Sequence, residues 1–353
     1  MIRTDALVIG AGPVGLFAVF ELGLLELGAQ VVDALPHAGG QCTELYADKP
    51  IYDIPGLPAS TGADLVQRLQ QQITPFRPGW HLGQQVASLA PQADGRFQVS
   101  TDQGTQFDAG VVLIAAGAGA FVPRSLKLEG LEQQLGRQVH HRMPAPAGLA
   151  GRQVVVSGDE DLALGQAADL AEALQRGDAN APARVSLLHR RDQFRASPAT
   201  LARVQALREA GALHFVAGQP QQLVQDPQGR LQALRLIGSD EQLSDLPCEQ
   251  WLLLLGLSPR LGPLADWGLA LQRKQLVVDT AQFQTSQPGV YAAGDIVHYP
   301  GKRKLLLCGF HEATLAAFAA AERLRGGHVH LQYTTTSPRL HQLLGLEPPA
   351  DAG

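Results

Sequence analysis

Three glycines near the start of the chain, Gly10, Gly12 and Gly15, have the spacing G-x-G-x-x-G that suits phosphate binding. An apolar run precedes them and an apolar helical pattern follows, which indicates a strand, a tight turn and a helix. In such a junction the first glycine makes the turn, the second lets a pyrophosphate approach the backbone, and the third lets helix and strand pack closely. The helix N-terminus adds N–H groups that bind phosphate. The sequence therefore predicts a dinucleotide site at Gly10, Gly12, Pro13 and Gly15.

An acidic residue ends the next predicted strand and completes this pattern. Asp33 follows Val31 and Val32, eighteen positions after Gly15. A carboxylate at this point is suited to accept hydrogen bonds from the hydroxyl groups of a ribose. The glycine spacing alone also occurs in ordinary turns, but strand, helix and acid together favour a dinucleotide site.

Composition narrows the class of protein. The 353 residues are enough for about two domains, and a net charge of −5 argues against a general nucleic-acid or membrane-surface binder. No apolar run reaches the ~18 residues that a membrane span needs. The first strand begins within a few residues of Met1, so we expect no signal peptide. Cys42, Cys248 and Cys308 are far apart, which favours reduced cytoplasmic thiols over a disulfide framework or a metal site.

The opening pattern recurs in the middle of the chain. A predicted strand over 153–157 runs into Gly158, a helix over 162–174 follows, and a second strand covers 185–188. This repeat indicates an internal duplication in which the second unit is inserted into the first. We therefore expect an α/β fold with two Rossmann-like three-layer dinucleotide-binding domains. The first takes 1–120 and 258–353, and the second takes 121–257.

A second motif suggests which dinucleotide the first domain binds. Residues 285–295 read T-S-Q-P-G-V-Y-A-A-G-D. This stretch resembles the second FAD signature of the thioredoxin-reductase-like flavoproteins, T-x-x-P-G-V-Y-A-A-G-D, and the resemblance covers nearly the whole chain. It implies non-covalently bound FAD beside Gly294, with Asp295 at the ribityl chain or the flavin phosphate.

Three further stretches resemble the ferredoxin–NADP reductases of the thioredoxin-reductase type: 39–56, 115–124 and 333–338. The resemblance implies that Tyr46 stacks on one face of the flavin. It also implies a homodimer, in which the C-terminal tail with Tyr333 and Thr335 covers the flavin of the partner subunit. The family often has histidine at the position of Tyr333. Further residues that the resemblance places at FAD are Gly40, Gln41, Ala116, Gly117 and Phe121.

The chain lacks the cysteine pairs of related disulfide reductases. Residues 136–150, where a thioredoxin reductase carries C-x-x-C, contain no cysteine, and Ala47 stands where a glutathione-reductase-like enzyme has its second cysteine after Cys42. We interpret Cys42 as a packing residue. Electrons must therefore pass from flavin directly to an external acceptor, which the resemblance implies is ferredoxin or another small redox protein. No protein acid or base is required.

A set of basic residues could guide such an acidic partner, or could simply be solvated charges. Its members are Arg124, Lys127, Lys302, Arg303 and Lys304.

The inserted domain carries basic residues where an NAD site has an acid. Arg190, Arg191 and Arg195 lie in H-R-R-D-Q-F-R after the second strand. Guanidinium groups match phosphate oxygens, and the stretch resembles the family pattern H-R-R-x-x-F-R. It predicts a site for the 2′-phosphate of NADPH.

The glycine loop of the inserted domain departs from the family pattern. The family has G-G-G-D-S-A, whereas this chain has Gly158, Asp159, Glu160 and Asp161 in the first four positions. Glu160 stands where a missing side chain lets pyrophosphate reach the backbone, and its charge repels phosphate. Three outcomes stay open: NADPH binds weakly, binds in a shifted pose, or does not bind. The sequence thus predicts a ferredoxin–NADP reductase-like oxidoreductase; the alternative is an FAD-binding redox sensor or electron-transfer protein without nicotinamide turnover.

Overall fold

The computed structural model describes residues 1–346, except for the side chain of Phe121, and divides the chain into two compact units. The first unit comprises Met1–Ala120 and Pro259–Gly353, and the second comprises Phe121–Ser258. The sequence-based boundary after residue 257 and the observed one after residue 258 differ by one position. Among the described residues, none of the helices is both long and apolar enough to cross a bilayer.

The first unit begins with a strand, a helix and a second strand. The elements of this segment are β1 (Ile2–Ile9), α1 (Pro13–Leu24), β2 (Ala29–Asp33), α2 (Gln41–Glu44), β3 (Pro50–Ile51), β4 (Ser60–Thr61), α3 (Gly62–Ile73), β5 (Gly79–Leu82), β6 (Val86–Pro91), β7 (Phe97–Thr101) and β8 (Gln106–Ile114). Helix α1 begins at a proline, whose missing N–H costs nothing at the first helical position. Helix α3 begins with a capping box between Thr61 and Asp64.

The second unit repeats this order of strand, helix and strand. The strands β9 (Ala120–Pro123) and β18 (Leu257–Arg260) cross its two boundaries. Between them lie α4 (Leu131–Gln134), β10 (Val139–His140), β11 (Gln153–Ser157), α5 (Asp161–Arg176), β12 (Arg184–His189), α6 (Pro198–Glu209), β13 (His214–Ala217), β14 (Gln219–Gln225), β15 (Leu231–Ile237), β16 (Leu243–Pro247) and β17 (Gln250–Leu253). Helix α5 ends at Gly177, which takes the left-handed conformation.

The chain then returns to the first unit. This segment contains β19 (Leu271–Gln272), β20 (Gln275–Val277), β21 (Val290–Ala292), β22 (Val297–His298), α7 (Leu306–Arg325) and α8 (Pro338–Leu343). Helix α7 packs on α1, where the rings of Phe310 and Phe17 lie 4.9 Å apart and a Cβ at Gly309 would lie 2.4 Å from the side chain of Val14. Val14 belongs to the first turn of α1, so this contact brings α7 beside the first glycine loop.

Both units have the same arrangement of parallel strands. In the first unit the order is β5-β2-β1-β8-β21, and β7 and β6 continue from the first half of β8 as an antiparallel meander. In the second unit the order is β13-β12-β11-β17-β10, with a separate antiparallel sheet of β14, β15 and β16. The central strands are almost continuously apolar, as is typical of parallel strands that are buried on both faces of the sheet. The predicted α/β fold class with two Rossmann-like domains is confirmed.

Candidate functional site

The first glycine loop connects β1 to α1 at the carboxyl end of the parallel sheet. Gly10 has φ +110°, and a Cβ there would lie 2.4 Å from the carbonyl oxygen of Ala115. A Cβ at Gly15 would lie 1.8 Å from the oxygen of Gly10. Both positions therefore exclude any side chain. Gly12 differs, because no atom lies within 4 Å of its Cβ position. The loop leaves an open space there, next to the start of α1 and Pro13, where a pyrophosphate could reach the backbone.

Asp33 ties the end of β2 to this loop. Its Oδ2 accepts a hydrogen bond of 2.6 Å from the N–H of Ala11, and its Oδ1 accepts one of 2.8 Å from the N–H of Leu35. Burial raises the pKa of the Asp33 carboxyl above its ordinary value, while the two N–H bonds act in the opposite direction. Each oxygen keeps acceptor capacity, so the carboxylate can still accept hydrogen bonds from a ribose.

A second segment forms a wall beside Gly12. Gly39 donates its N–H to the Ala11 oxygen at 2.8 Å, and a Cβ at Gly40 would lie 3.2 Å from the Cα of Gly12. A Cβ at Gly117, which has φ +58°, would lie 3.3 Å from Nε2 of Gln41. The structure thus brings Gly12, Gly40, Gln41 and Gly117 together. Ala116 lies in the same turn, where its oxygen accepts the N–H of Gly119 at 2.8 Å.

The second motif meets this wall through the end of β21. A Cβ at Gly294, which has φ +87°, would lie 3.4 Å from the side chain of Val14 in α1. Asp295 directly follows Gly294, and burial, followed by the charge of Asp295, raises the pKa of the Cys42 thiol next to Gln41. The predicted FAD residues of the two motifs therefore converge on one place in the first unit.

Sequence reasoning missed a buried ionic network behind the second motif. Glu312 in α7 is completely buried, and its Oε2 accepts the N–H of Gly294 at 2.7 Å. Its Oε1 accepts a hydrogen bond of 2.7 Å from the hydroxyl of Tyr299 and forms an ion pair with the ammonium of Lys302. Burial, followed by the bond to Glu312, holds the pKa of Tyr299 well above its ordinary value. A glutamate on the alanine-rich face of α7 was the sequence signal that could have revealed this network.

The network corrects one expectation about the surface. Lys302 was one candidate for the basic docking patch, but its side chain is only 7% exposed and pairs with Glu312. It is therefore not available to a partner protein. Arg303 and Lys304 are exposed, and so are Arg124 and Lys127 in the second unit.

The two predicted stacking tyrosines lie in different surroundings. Tyr46 follows α2, so it lies on the same short segment as Gln41, and it is 43% exposed. Tyr333 is 66% exposed and precedes α8, which is held by the buried Leu340 and by an ion pair of Arg339 with Glu26. Glu26 follows the C-terminal end of α1, about 18 Å from the end that Gly12 caps.

The oxygen of Tyr333 accepts the N–H of Ser337 at 3.0 Å, and the oxygen of Thr334 lies 2.6 Å from Nε2 of His341. Tyr333 and the exposed Thr335 therefore stay beside α8 and are not brought to the FAD residues of the same chain. The side chain of Phe121 lies outside the described part of the structure.

The three cysteines are all free thiols. Cys42 is buried, and burial raises the pKa of its thiol above the ordinary value, so a reactive thiolate is disfavoured. In residues 1–346, no group of three or more histidine, cysteine or acidic side chains could hold a metal ion.

The second glycine loop joins β11 to α5. A Cβ at Gly158 would lie 2.3 Å from the oxygen of Leu254, so this turn packs as tightly as the one at Gly10. At the next two positions the side chains of Asp159 and Glu160 turn towards Arg195. Nε of Arg195 donates to Oδ2 of Asp159 at 2.8 Å, and Nη2 donates to Oδ1 of Asp159 and to Oε1 of Glu160 at 3.1 Å each.

This pairing was not anticipated from the sequence, where the acids and the arginine were given separate roles. The Arg195 guanidinium beside Asp159 lowers the pKa of that carboxyl, so both groups are charged at neutral pH. Arg190 and Arg191 are exposed in the same turn after β12. The three predicted phosphate-binding arginines thus differ, because one already has anionic partners.

Comparison with known proteins relates this geometry to a family. Residues 4–321 match the family described as pyridine nucleotide-disulphide oxidoreductase. A ferredoxin–NADP reductase of Paracidovorax citrulli is 58% identical over 353 residues, which covers 98% of this chain and 97% of that protein. A ferredoxin–NADP reductase of Verminephrobacter eiseniae is 54% identical over 356 residues and covers 100% and 99% of the two chains.

Solved structures are similar in fold. The thioredoxin reductase of T. acidophilum has a TM-score of 0.58 at 19% identity, covering 92% of this chain and 100% of that one. The bacillithiol disulfide reductase of Staphylococcus aureus has a TM-score of 0.60 at 14% identity, covering 90% and 98%. At such identities the likeness concerns the fold alone.

Proposed function

We propose a function from the premise that this chain belongs to the pyridine nucleotide-disulphide oxidoreductase family, within the group of members named ferredoxin–NADP reductase. The protein is an FAD-dependent oxidoreductase. It exchanges hydride between NADPH and FAD, and it exchanges single electrons with ferredoxin or a similar small redox protein. The observation that carries this proposal is the first glycine loop, where Gly12 leaves open space between Asp33, Gln41 and the second motif.

The residues of the first unit fit FAD. Any Cβ at Gly10 or Gly15 would collide with backbone, whereas the space at the Cβ position of Gly12, at the start of α1, is open. Backbone N–H groups of this turn would hold the pyrophosphate, and Asp33 would hold the adenosine ribose. Gln41, Gly294 and Asp295 would hold the flavin end. FAD supplies the chemistry when bound, because a flavin can take a hydride and release single electrons.

Three exposed features support the proposed binding of NADPH, of an acidic partner protein and of a second subunit. Arg190 and Arg191 are exposed after β12, where the 2′-phosphate of NADPH would be recognised. Arg303 and Lys304 are exposed cations that could steer an acidic partner. The exposed tail at Tyr333 and Thr335, anchored away from the flavin residues of its own chain, supports a homodimer in which it covers the partner's flavin.

The state of the cysteines supports an external protein as the electron acceptor and the cytoplasm as the location of the protein. Because Cys42 is buried and no second cysteine stands near it in sequence, no dithiol connects flavin to a disulfide substrate. Electrons would therefore leave flavin directly for an external protein. Three free cysteines are consistent with a reducing cytoplasm.

The proposal is tested by anaerobic stopped-flow mixing of the FAD-loaded protein with NADPH, followed at the flavin absorbance band. We expect bleaching of the flavin and, after addition of oxidised ferredoxin, reoxidation of the flavin with one-electron reduction of ferredoxin. Recovery of FMN rather than FAD from the protein would contradict the cofactor assignment.

A second candidate function keeps FAD but not nicotinamide turnover. The observation in its favour is the ion pair of Arg195 with Asp159 and Glu160, which occupies the second glycine loop with carboxylates. In that case the flavin would serve as a redox sensor or would be reduced by another protein. A flavin that stays oxidised under NADPH but is reduced by a reduced ferredoxin would favour this function.

A further inference from the structure

We propose that Asp159 is a specificity-determining residue, because it holds Arg195 away from the 2′-phosphate of a bound dinucleotide and so weakens the preference for NADPH over NADH. This inference rests on the proposed nicotinamide site in the second unit. It assigns different effects to the two acids of the loop: Asp159 opposes only nucleotides with a 2′-phosphate, whereas Glu160 opposes every dinucleotide.

The geometry of the Arg195 fork carries the first half of this assignment. Nε and Nη2 of Arg195 donate to the two oxygens of Asp159 at 2.8 and 3.1 Å. This is the two-pronged arrangement with which a guanidinium binds phosphate. A 2′-phosphate and the Asp159 carboxylate would therefore compete for the same donors.

Backbone contacts keep the two residues together. The N–H of Arg195 donates to the oxygen of Asp159 at 2.6 Å. Oδ1 of Asp161 accepts the N–H of Ser197 at 2.9 Å and the hydroxyl of Thr200 at 2.8 Å. The glycine loop and the turn before α6 are thus connected on both sides of the ion pair. Because these backbone contacts do not involve the guanidinium, the Arg195 side chain can turn from Asp159 to a phosphate without breaking them.

Glu160 occupies a different place. Its Oε2 lies 3.4 Å from the Cβ position of Gly256, at the carboxyl end of the parallel sheet. Ligands of such sheets bind at this end, and their pyrophosphate approaches the start of the helix. Glu160 therefore repels a group that NADPH and NADH share. It accepts one bond from Arg195, at 3.1 Å, whereas Asp159 accepts two, so its removal should change the preference between NADPH and NADH less than removal of Asp159 does.

The exposure of the ion pair limits the size of the effect. The Arg195 side chain is 67% exposed and that of Asp159 is 24% exposed, so water screens their attraction. Exposed pairs contribute little to stability, which means that a phosphate carrying up to two charges can displace Asp159. We expect the competition to reduce affinity for a 2′-phosphate by about fivefold.

The test is calorimetric titration of the FAD-loaded protein with NADP⁺ and with NAD⁺, which share the pyrophosphate and differ only in the 2′-phosphate. For Asp159→Asn we expect NADP⁺ to bind about fivefold more tightly than to wild type, with the affinity for NAD⁺ unchanged. For Glu160→Gln we expect both nucleotides to bind more tightly. Asp245→Asn is the matched control, because Asp245 forms a comparable exposed pair with Arg235 at 2.8 and 2.9 Å in the same unit.

A double-mutant cycle separates competition from a general charge effect. In an Arg195→Ala background, the gain from Asp159→Asn should disappear. Persistence of the gain in that background, an equal gain for NAD⁺, no gain, or weaker binding of NADP⁺ to Asp159→Asn would each overturn the inference. Reduction of the flavin in the wild-type protein by NADPH is measured separately. This measurement distinguishes failure of the proposed competition between Asp159 and the 2′-phosphate from failure of the proposed reductase function.

Discussion

Gly12 in the first unit and Glu160 in the second occupy the same place in two copies of one structural motif. Each caps the helix that follows the central strand, and their backbones are alike, with φ −71° and ψ 176° for Gly12 and φ −108° and ψ 167° for Glu160. Neither conformation requires glycine. The comparison shows that the fold tolerates a side chain here, so we propose that the glycine in the first unit is required by a bound dinucleotide and not by the fold.

The first loop position behaves differently. A Cβ at Gly10 would lie 2.4 Å from a carbonyl oxygen of the neighbouring strand, and one at Gly158 would lie 2.3 Å from the corresponding oxygen. This close approach is the same in both units and does not depend on a ligand. The fold therefore requires glycine at Gly10 and Gly158, and we propose that only dinucleotide binding requires it at Gly12.

The units also differ in what holds the loop. In the first, Asp33 accepts the N–H of Ala11, and behind the second motif Glu312 pairs with Lys302 in the core. In the second, the loop is held by Arg195, whose pairs with Asp159 and Glu160 are open to water. A buried network gives a fixed site, whereas an exposed one can exchange partners.

The largest expected effect comes from removing the buried charge in the first unit. Glu312→Gln leaves the Lys302 ammonium without its counter-charge, which should lower the free energy of unfolding by about 3–5 kcal/mol. Urea unfolding followed by flavin fluorescence measures it. The double variant Glu312→Gln with Lys302→Met should recover much of the loss, whereas Asp159→Asn in the second unit should hardly move the midpoint. If Glu312→Gln and Asp159→Asn lowered the free energy of unfolding equally, the proposed difference between a buried network in the first unit and an exposed one in the second would be wrong.

Placing the second unit's residue in the first unit tests the ligand argument. Gly12→Glu should fold, because no atom lies within 4 Å of the Cβ position, but it should weaken FAD binding by about a hundredfold through charge repulsion. FAD affinity is measured by quenching of flavin fluorescence on titration of the apoprotein. Gly148→Glu, at an exposed glycine with an equally open Cβ position, is the control for added charge. Normal FAD affinity in Gly12→Glu would show that the pyrophosphate does not bind at this loop.

The reverse exchange should improve the second site. Glu160→Gly opens the position that Gly12 leaves open, at a helix-propensity cost of at most about 1 kcal/mol. We expect the NADPH concentration that gives half-maximal flavin reduction to fall by about tenfold, together with a faster reaction at low NADPH. Anaerobic stopped-flow spectroscopy against NADPH concentration provides the comparison. A wild type that already matches the variant would mean that Glu160 does not obstruct the dinucleotide.

The smallest effect is expected at Cys42. Because burial raises the pKa of its thiol, no thiolate should form near neutral pH, and flavin reduction should show no titration step from this group between about pH 6 and 8. Cys42→Ala should therefore keep the rate and its pH profile, apart from small packing losses. A pH-dependent step that disappears in a folded Cys42→Ala protein would assign a chemical role to this thiol.

Much of the fold could be predicted because it depends on local patterns. The apolar spacing over 63–73, with Thr61 or Gly62 near its cap, predicts a helix, and the structure has this helix as Gly62–Ile73 with Thr61 as the capping residue. The alanine-rich pattern predicts that the last long helix begins near Glu312, but α7 begins at Leu306, where no side chain caps its first turn. A Cβ at Gly309 in that turn would lie 2.4 Å from the Val14 side chain, and this packing is visible only in three dimensions.

The sequence by itself determined where backbone must approach backbone, since Gly10, Gly15 and Gly158 are required by geometry within a strand–turn–helix junction. Only the tertiary structure decided which charges meet. The basic residues next to Lys302 in sequence predicted a place for it on a docking surface, but Lys302 is buried against Glu312. Arg195 binds two acids that lie 35 and 36 positions earlier in the chain. The reason is that a turn depends on the conformation of a few adjacent residues, whereas an ion pair depends on which separate segments the packed core brings into contact.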